Sequence, residues 1–129
     1  MNTDKLAEIA VSALEDIKAR DITVIDVSPL SSLFERMIIA SADSGRQTKA
    51  LANHVQEKIK AIGGTVYGIE GEQSGEWVLV DCGDVIVHVM QPAVRQYYNL
   101  EELWGGHLPL PGRRDSEYTS AARFASSPM

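Results

Sequence analysis

With 129 residues and 44% hydrophobic side chains, the chain has material for one continuous core and not for two independent domains. Twelve Lys and Arg stand against eighteen Asp and Glu, a net charge of −6, so phosphate neutralisation is not favoured over the surface as a whole; the expected partner is basic or neutral, and no direct nucleic-acid contact is required. A single cysteine, Cys82, excludes an internal disulfide and a thiolate zinc site, while the acids spread through Met1 to Arg20 and the lack of any membrane-length apolar run speak against a signal peptide or a membrane span and for a reducing cytoplasm.

From Leu6 the residues Ile9, Ala10, Ala13, Leu14 and Ile17 recur at three- and four-residue spacing, which predicts an amphipathic helix with Thr3 as its N-cap. Asp21 to Val27 turns β-branched and reads as a strand, stopped by Pro29 and the Ser31-Ser32 pair. Met37 to Ala40 has the apolar character of a buried strand. The small-residue loop Ser41 to Gly45 leads into a second helix, Arg46 to Ile62, closed by Gly63-Gly64. Three more strands follow, Val66 to Ile69, Trp77 to Val80 and Val85 to Met90, and Cys82-Gly83 is short enough to make the last two an antiparallel hairpin. Pro92 opens a final helix whose Leu100, Leu103 and Trp104 seal the body. Beyond Gly105 no periodicity is sustained. The expected organisation is therefore a domain over residues 1–104 and a disordered tail over 105–129. The element order predicts an α/β chain of the α+β kind: helices on part of one mixed sheet, with one sheet face open.

Charge is the sharpest local feature. No Lys or Arg occurs from Ala61 to Val94, yet Glu70, Glu72, Glu76, Asp81 and Asp84 lie within that span. One reading is a set of solvated loop acids. The other comes from strand alternation, which sends Val78, Val80, Val85, Val87 and Val89 to the core and leaves Trp77, His88 and Met90 on a second face beside the acids, the aromatic-centre and charged-rim make-up of a protein-binding patch. A Trp in a strand is equally at home in a core.

No catalytic or metal centre is expected. His54, His88 and His107 form no metal-ligand spacing, and Asp81 and Asp84 straddle a turn rather than sharing one strand face. Cys82 next to Asp81 is poorly placed for a thiolate. Ser41 to Gly45 ahead of a helix, with Arg46 near, has an anion-binding flavour but lacks the glycine spacing and lysine of a P-loop. No cofactor is implied.

Met37-Ile38-Ile39-Ala40-Ser41 followed by Ser44, Arg46 and Gln47, then Gly68-Ile69-Glu70-Gly71, Gly75-Glu76-Trp77-Val78, Val80-Asp81 and the run Gly83 to Met90, and lastly Arg95, Tyr98, Leu100, Glu101, Leu103 and Trp104, together resemble the ribosomal silencing factors, or Iojap family, over about residues 4 to 104. Ala42-Asp43 departs from the small or glycine-rich turn usual there. The resemblance implies a nucleotidyltransferase-like fold without catalytic carboxylates, with helices on one side of the sheet. It also implies a non-enzymatic factor that binds the large ribosomal subunit through the basic ribosomal protein uL-fourteen and sterically blocks joining of the small subunit. Pattern and charge then assign the contact set as Trp77, Leu79, Asp81, Asp84, His88 and Met90, with Arg95 and Tyr98 from the closing signature. Two other readings stand beside this one: a nucleotidyltransferase with an unrecognised set of carboxylates among Glu70, Asp81 and Asp84, and a homodimer paired through the open sheet face.

Overall fold

The structure is a computed structural model that describes residues 2–104. Helix α1 (Thr3–Asp16) is capped by Asn2, whose side chain accepts from the Lys5 N–H at 2.7 Å, so the cap lies one residue before the expected Thr3. Asn2 is extended and its short amide reaches the third helical N–H, leaving Thr3 inside the helix with its hydroxyl on Glu35. Strand β1 (Arg20–Asp26) pairs antiparallel with β2 (Arg36–Ser41). Helix α2 (Gly45–Ala61) starts at Ser44, whose Oγ accepts from the Gln47 N–H at 3.1 Å, and stops before Gly63, which adopts φ +84°. Strands β3 (Gly68–Glu70), β4 (Trp77–Asp81) and β5 (Val85–Met90) follow the expected order. Gly83, at φ +86°, makes the tight β4–β5 turn, and its N–H donates to the Asp81 carboxylate at 2.9 Å.

The five strands form one mixed sheet in the order β1-β2-β5-β4-β3, parallel only between β2 and β5. On one face α1 and α2 bury Leu14, Leu51, Val55 and Ile59 against Ile38, Ala40, Val78, Val80, Val85, Val87 and Val89. The valine faces thus lie where strand alternation sends them.

The second face is not open. Two short helices lie on it, α3 (Pro92–Tyr98) and α4 (Leu100–Trp104), where the sequence suggested one continuous helix. The break falls at Asn99, which turns into the left-handed region at φ 48°, ψ 53°. That turn lets Leu100 (3% exposed) and Trp104 (1%) fold down on Ile25, Met37, Ile39, Ile86 and Met90, and Trp104 meets Phe34 with ring centroids 5.7 Å apart. Helices therefore flank the sheet on both sides, not on one.

Candidate protein-docking site

The second face carries the expected contact residues in register. Across the strands, Met90 stands opposite Trp77, and His88 opposite both Ile39 and Leu79. Leu79, His88 and Met90 are 2%, 0% and 0% exposed under this layer, so none of the three is at the surface for a partner to touch. The alternation that put them together on one face is correct, and the assumption that this face meets solvent is what fails.

Trp77 is different. It is half-buried at the start of β4, its indole N–H donates to Nδ1 of His88 at 2.9 Å, and its ring meets Tyr98 of α3 with centroids 4.8 Å apart. Tyr98 in turn meets Tyr97 edge-on at 5.0 Å, and Tyr97 is 81% exposed. His88, Trp77, Tyr98 and Tyr97 therefore form an aromatic run from the core to the surface. His88 anchors it: an indole N–H can only donate, so Nδ1 must be the acceptor and the neutral ring carries its proton on Nε2. Burial pushes the His88 pKa down to about 3.

The loop before Trp77 is held tightly. Gly71, at φ +87°, lies so close that a Cβ would fall 2.0 Å from the Trp77 carbonyl oxygen. The Gly75 carbonyl accepts from Thr48 Oγ1 at 2.6 Å and Gln91 Nε2 at 3.2 Å, and the Gln91 N–H donates to the Glu76 carbonyl at 2.9 Å. These bonds hold the loop that carries the exposed Glu72 and Glu76 into Trp77. Glu70, also exposed, stands opposite Leu79 on the same sheet face. Asp81 and Asp84 lie elsewhere: β4 separates them from Trp77 by about 13 Å at the usual rise per residue. The expected site thus divides, with Trp77, Tyr98 and the glutamates at one end of β4 and the two aspartates at the other.

Arg95 is 12% exposed and turned inward. Nε donates to Glu101 at 2.7 Å, Nη1 to the Asp21 carbonyl at 2.7 Å and Ser41 Oγ at 2.8 Å, and Nη2 to Thr23 Oγ1 at 3.2 Å. The Arg95 hydrogen bond in turn holds the Glu101 carboxyl below its ordinary range. These groups line an open cleft of about 570 Å³ between β1 and α3. Tyr97 is the surface residue that pattern reasoning omitted; its only sequence signal was a tyrosine pair on a short helix.

The remaining candidates carry no chemistry. Burial, and then the Asp81 charge, raise the Cys82 thiol to about 12, so it stays protonated. The Ser41 to Gly45 loop presents Asp43, paired with Arg20, with its N–H on Gln47 at 2.8 Å, and a carboxylate there repels phosphate. Among the described residues no three His, Cys, Asp or Glu side chains are grouped to hold a metal ion, and no helix is long and apolar enough to cross a membrane.

Fold and surface together define a small α+β protein with an exposed aromatic and acidic surface. Residues 1–127 match the family described as ribosomal silencing factor during starvation. The ribosomal silencing factor RsfS of Chromobacterium violaceum is 59% identical over 109 residues, covering 84% of this chain and 89% of that protein. RsfS of Bacillus subtilis is 38% identical, covering 81% and 89%. A crystal structure of a Chromobacterium violaceum protein superposes with a TM-score of 0.80 at 54% identity, over 92% of this chain and 99% of that one. The chain belongs to the ribosomal silencing factor family, a family of ribosome-associated regulators of translation and not of enzymes.

Proposed function

We propose that this chain docks on the large ribosomal subunit in the cytoplasm through a basic ribosomal protein, uL-fourteen, and blocks joining of the small subunit by occupying the space between them. The observation that carries the reading is the surface itself: Tyr97, Tyr98 and Trp77 meet through tilted and edge-on ring contacts in one aromatic run, and Trp77 belongs, with the exposed Glu70, Glu72 and Glu76, to a span without a single Lys or Arg. A rigid aromatic centre with an acidic rim suits a basic protein surface. Within the original contact set the direct contacts are Trp77 and Tyr98, with Tyr97 added. Leu79, His88 and Met90 support them from beneath. Asp81 and Asp84 belong to a separate edge. Self-pairing through an open sheet face is not favoured, because α3 and α4 occupy the middle of that face.

The test is sedimentation of purified large and small subunits with and without the protein. Co-migration with the large subunit and loss of joined ribosomes is the expected result. Trp77→Ala should weaken binding by about 2 kcal/mol, the range of a central aromatic anchor. Normal binding by a folded Trp77→Ala protein would remove this surface from the reading, and no co-migration at low salt would remove the function.

A further inference from the structure

Arg95 lies in the closing signature beside the docking surface, yet its geometry suits a different task from touching a partner. We infer that Arg95 is the positioning residue of that surface: it latches α3 onto the sheet so that Tyr98 stays against Trp77. The inference rests on the docking role proposed for Trp77 and Tyr98.

The start of helix α3 is tied by Gln91 to the Gly75 and Glu76 carbonyls; the turn that carries Tyr98 needs a hold of its own. The helix is seven residues long, far below the length at which a helix is stable alone, and none of its residues is buried. Pro92 suits the first turn, where its missing N–H would have had no partner within the helix, and Gln91 makes no side-chain capping bond. Its apolar attachment consists of Val94 and Tyr98, both half-buried.

Arg95 supplies the missing hold. Its guanidinium reaches β1 through Asp21 and Thr23, β2 through Ser41, and α4 through Glu101, so one side chain joins α3 to three other elements. The strand is shaped to receive it. The β1–β2 register slips between Arg20 and Thr23, and Asp21 sits at φ 51°, so its carbonyl is out of the ladder and accepts from Nη1 instead. Tyr98 follows Arg95 by three residues and shares its side of the helix, so fixing one fixes the direction of the other. Four guanidinium hydrogens are engaged and Glu101 balances the charge, which leaves almost nothing to offer a partner. A basic partner surface would in any case repel a free arginine.

The experiment compares Arg95→Met, which keeps the stem, and Arg95→Lys, which keeps the charge without the fork, with Val55→Ala, which opens a cavity under α2 on the opposite sheet face. Affinity of each full-length chain for purified large subunits is measured well below its unfolding temperature, and the Tyr98–Trp77 ring contact is followed by NMR. Both Arg95 variants should bind about tenfold more weakly or worse and lose the ring contact, while Val55→Ala binds normally despite a lower melting temperature. Weakened binding with the ring contact intact would make Arg95 a direct contact and overturn the inference. So would equal loss in Val55→Ala, which would mean general destabilisation. Wild-type binding by the Arg95 variants overturns it too; if Trp77→Ala also binds normally, the docking surface itself has failed. Should Arg95→Met not fold, Arg95→Lys decides the same question.

Discussion

At the level of single residues, His88 shows how burial turns a titratable group into a structural one. Its Nδ1 is tied to the Trp77 indole and, among the described residues, its buried Nε2 has no hydrogen-bond partner, a cost of about 1–3 kcal/mol that the fold carries while the indole is held in place. With a folded pKa near 3, the ring cannot take the proton that the unfolded chain accepts at its ordinary value. The stabilisation is complete above about pH 6.5 and is lost as pH falls toward 3, by up to about 1.4 kcal/mol per unit. Denaturant midpoints taken at pH 7 and pH 5 should therefore fall more steeply for the natural protein than for His88→Asn, whose amide oxygen keeps an acceptor for Trp77 without titrating. Equal slopes would mean that His88 is not the group responsible. The surface pair His54–Asp16, 2.9 Å apart, is present in both proteins and cancels from the comparison.

Among the elements, the α3–α4 corner is the decisive one. Asn99 closes α3 in the left-handed region with its N–H on the Arg95 carbonyl at 2.9 Å, and the turn directs Leu100 and Trp104 into the core. Asn tolerates that conformation and Gly suits it better, whereas a β-branched residue is strained there. Asn99→Val should cost about 1–2 kcal/mol of stability and weaken docking through Tyr98, while Asn99→Gly should melt at or above the natural temperature. Thermal unfolding followed by tryptophan fluorescence reads both outcomes. An indifferent Asn99→Val would show that the corner does not depend on this residue.

For the whole molecule the controlling quantity is charge. On the proposed docking, a chain of net −6 with exposed glutamates in the segment that leads into Trp77 would attract a basic partner over a Debye length of about 10 Å at 0.1 M salt. Association with large subunits should slow as salt is raised. Replacing Glu70, Glu72 and Glu76 together by Gln should lower the association rate and flatten its salt dependence, with little change in dissociation, because rim charges steer more than they hold. Stopped-flow binding at two salt concentrations measures this. An unchanged rate would assign those acids to solubility alone.

Much of the fold was legible along the chain because local physics dictates it. Heptad-like spacing in Leu6 to Ile17 and Ala50 to Ile62 makes helices, and the alternating valines of β4 and β5 choose their core face wherever the strands end up. The family signature could also be read directly, since it consists of residues in order. Three things could not be read this way, and all depend on residues distant in sequence. That the second face is covered follows from Trp104 finding Phe34, seventy positions away. Whether His88 and Met90 lie inside or outside follows from that cover. Which way Arg95 points depends on a carbonyl freed by the slipped register of β1. Periodicity assigns a side chain to a face of its own element; only packing decides whether that face meets water.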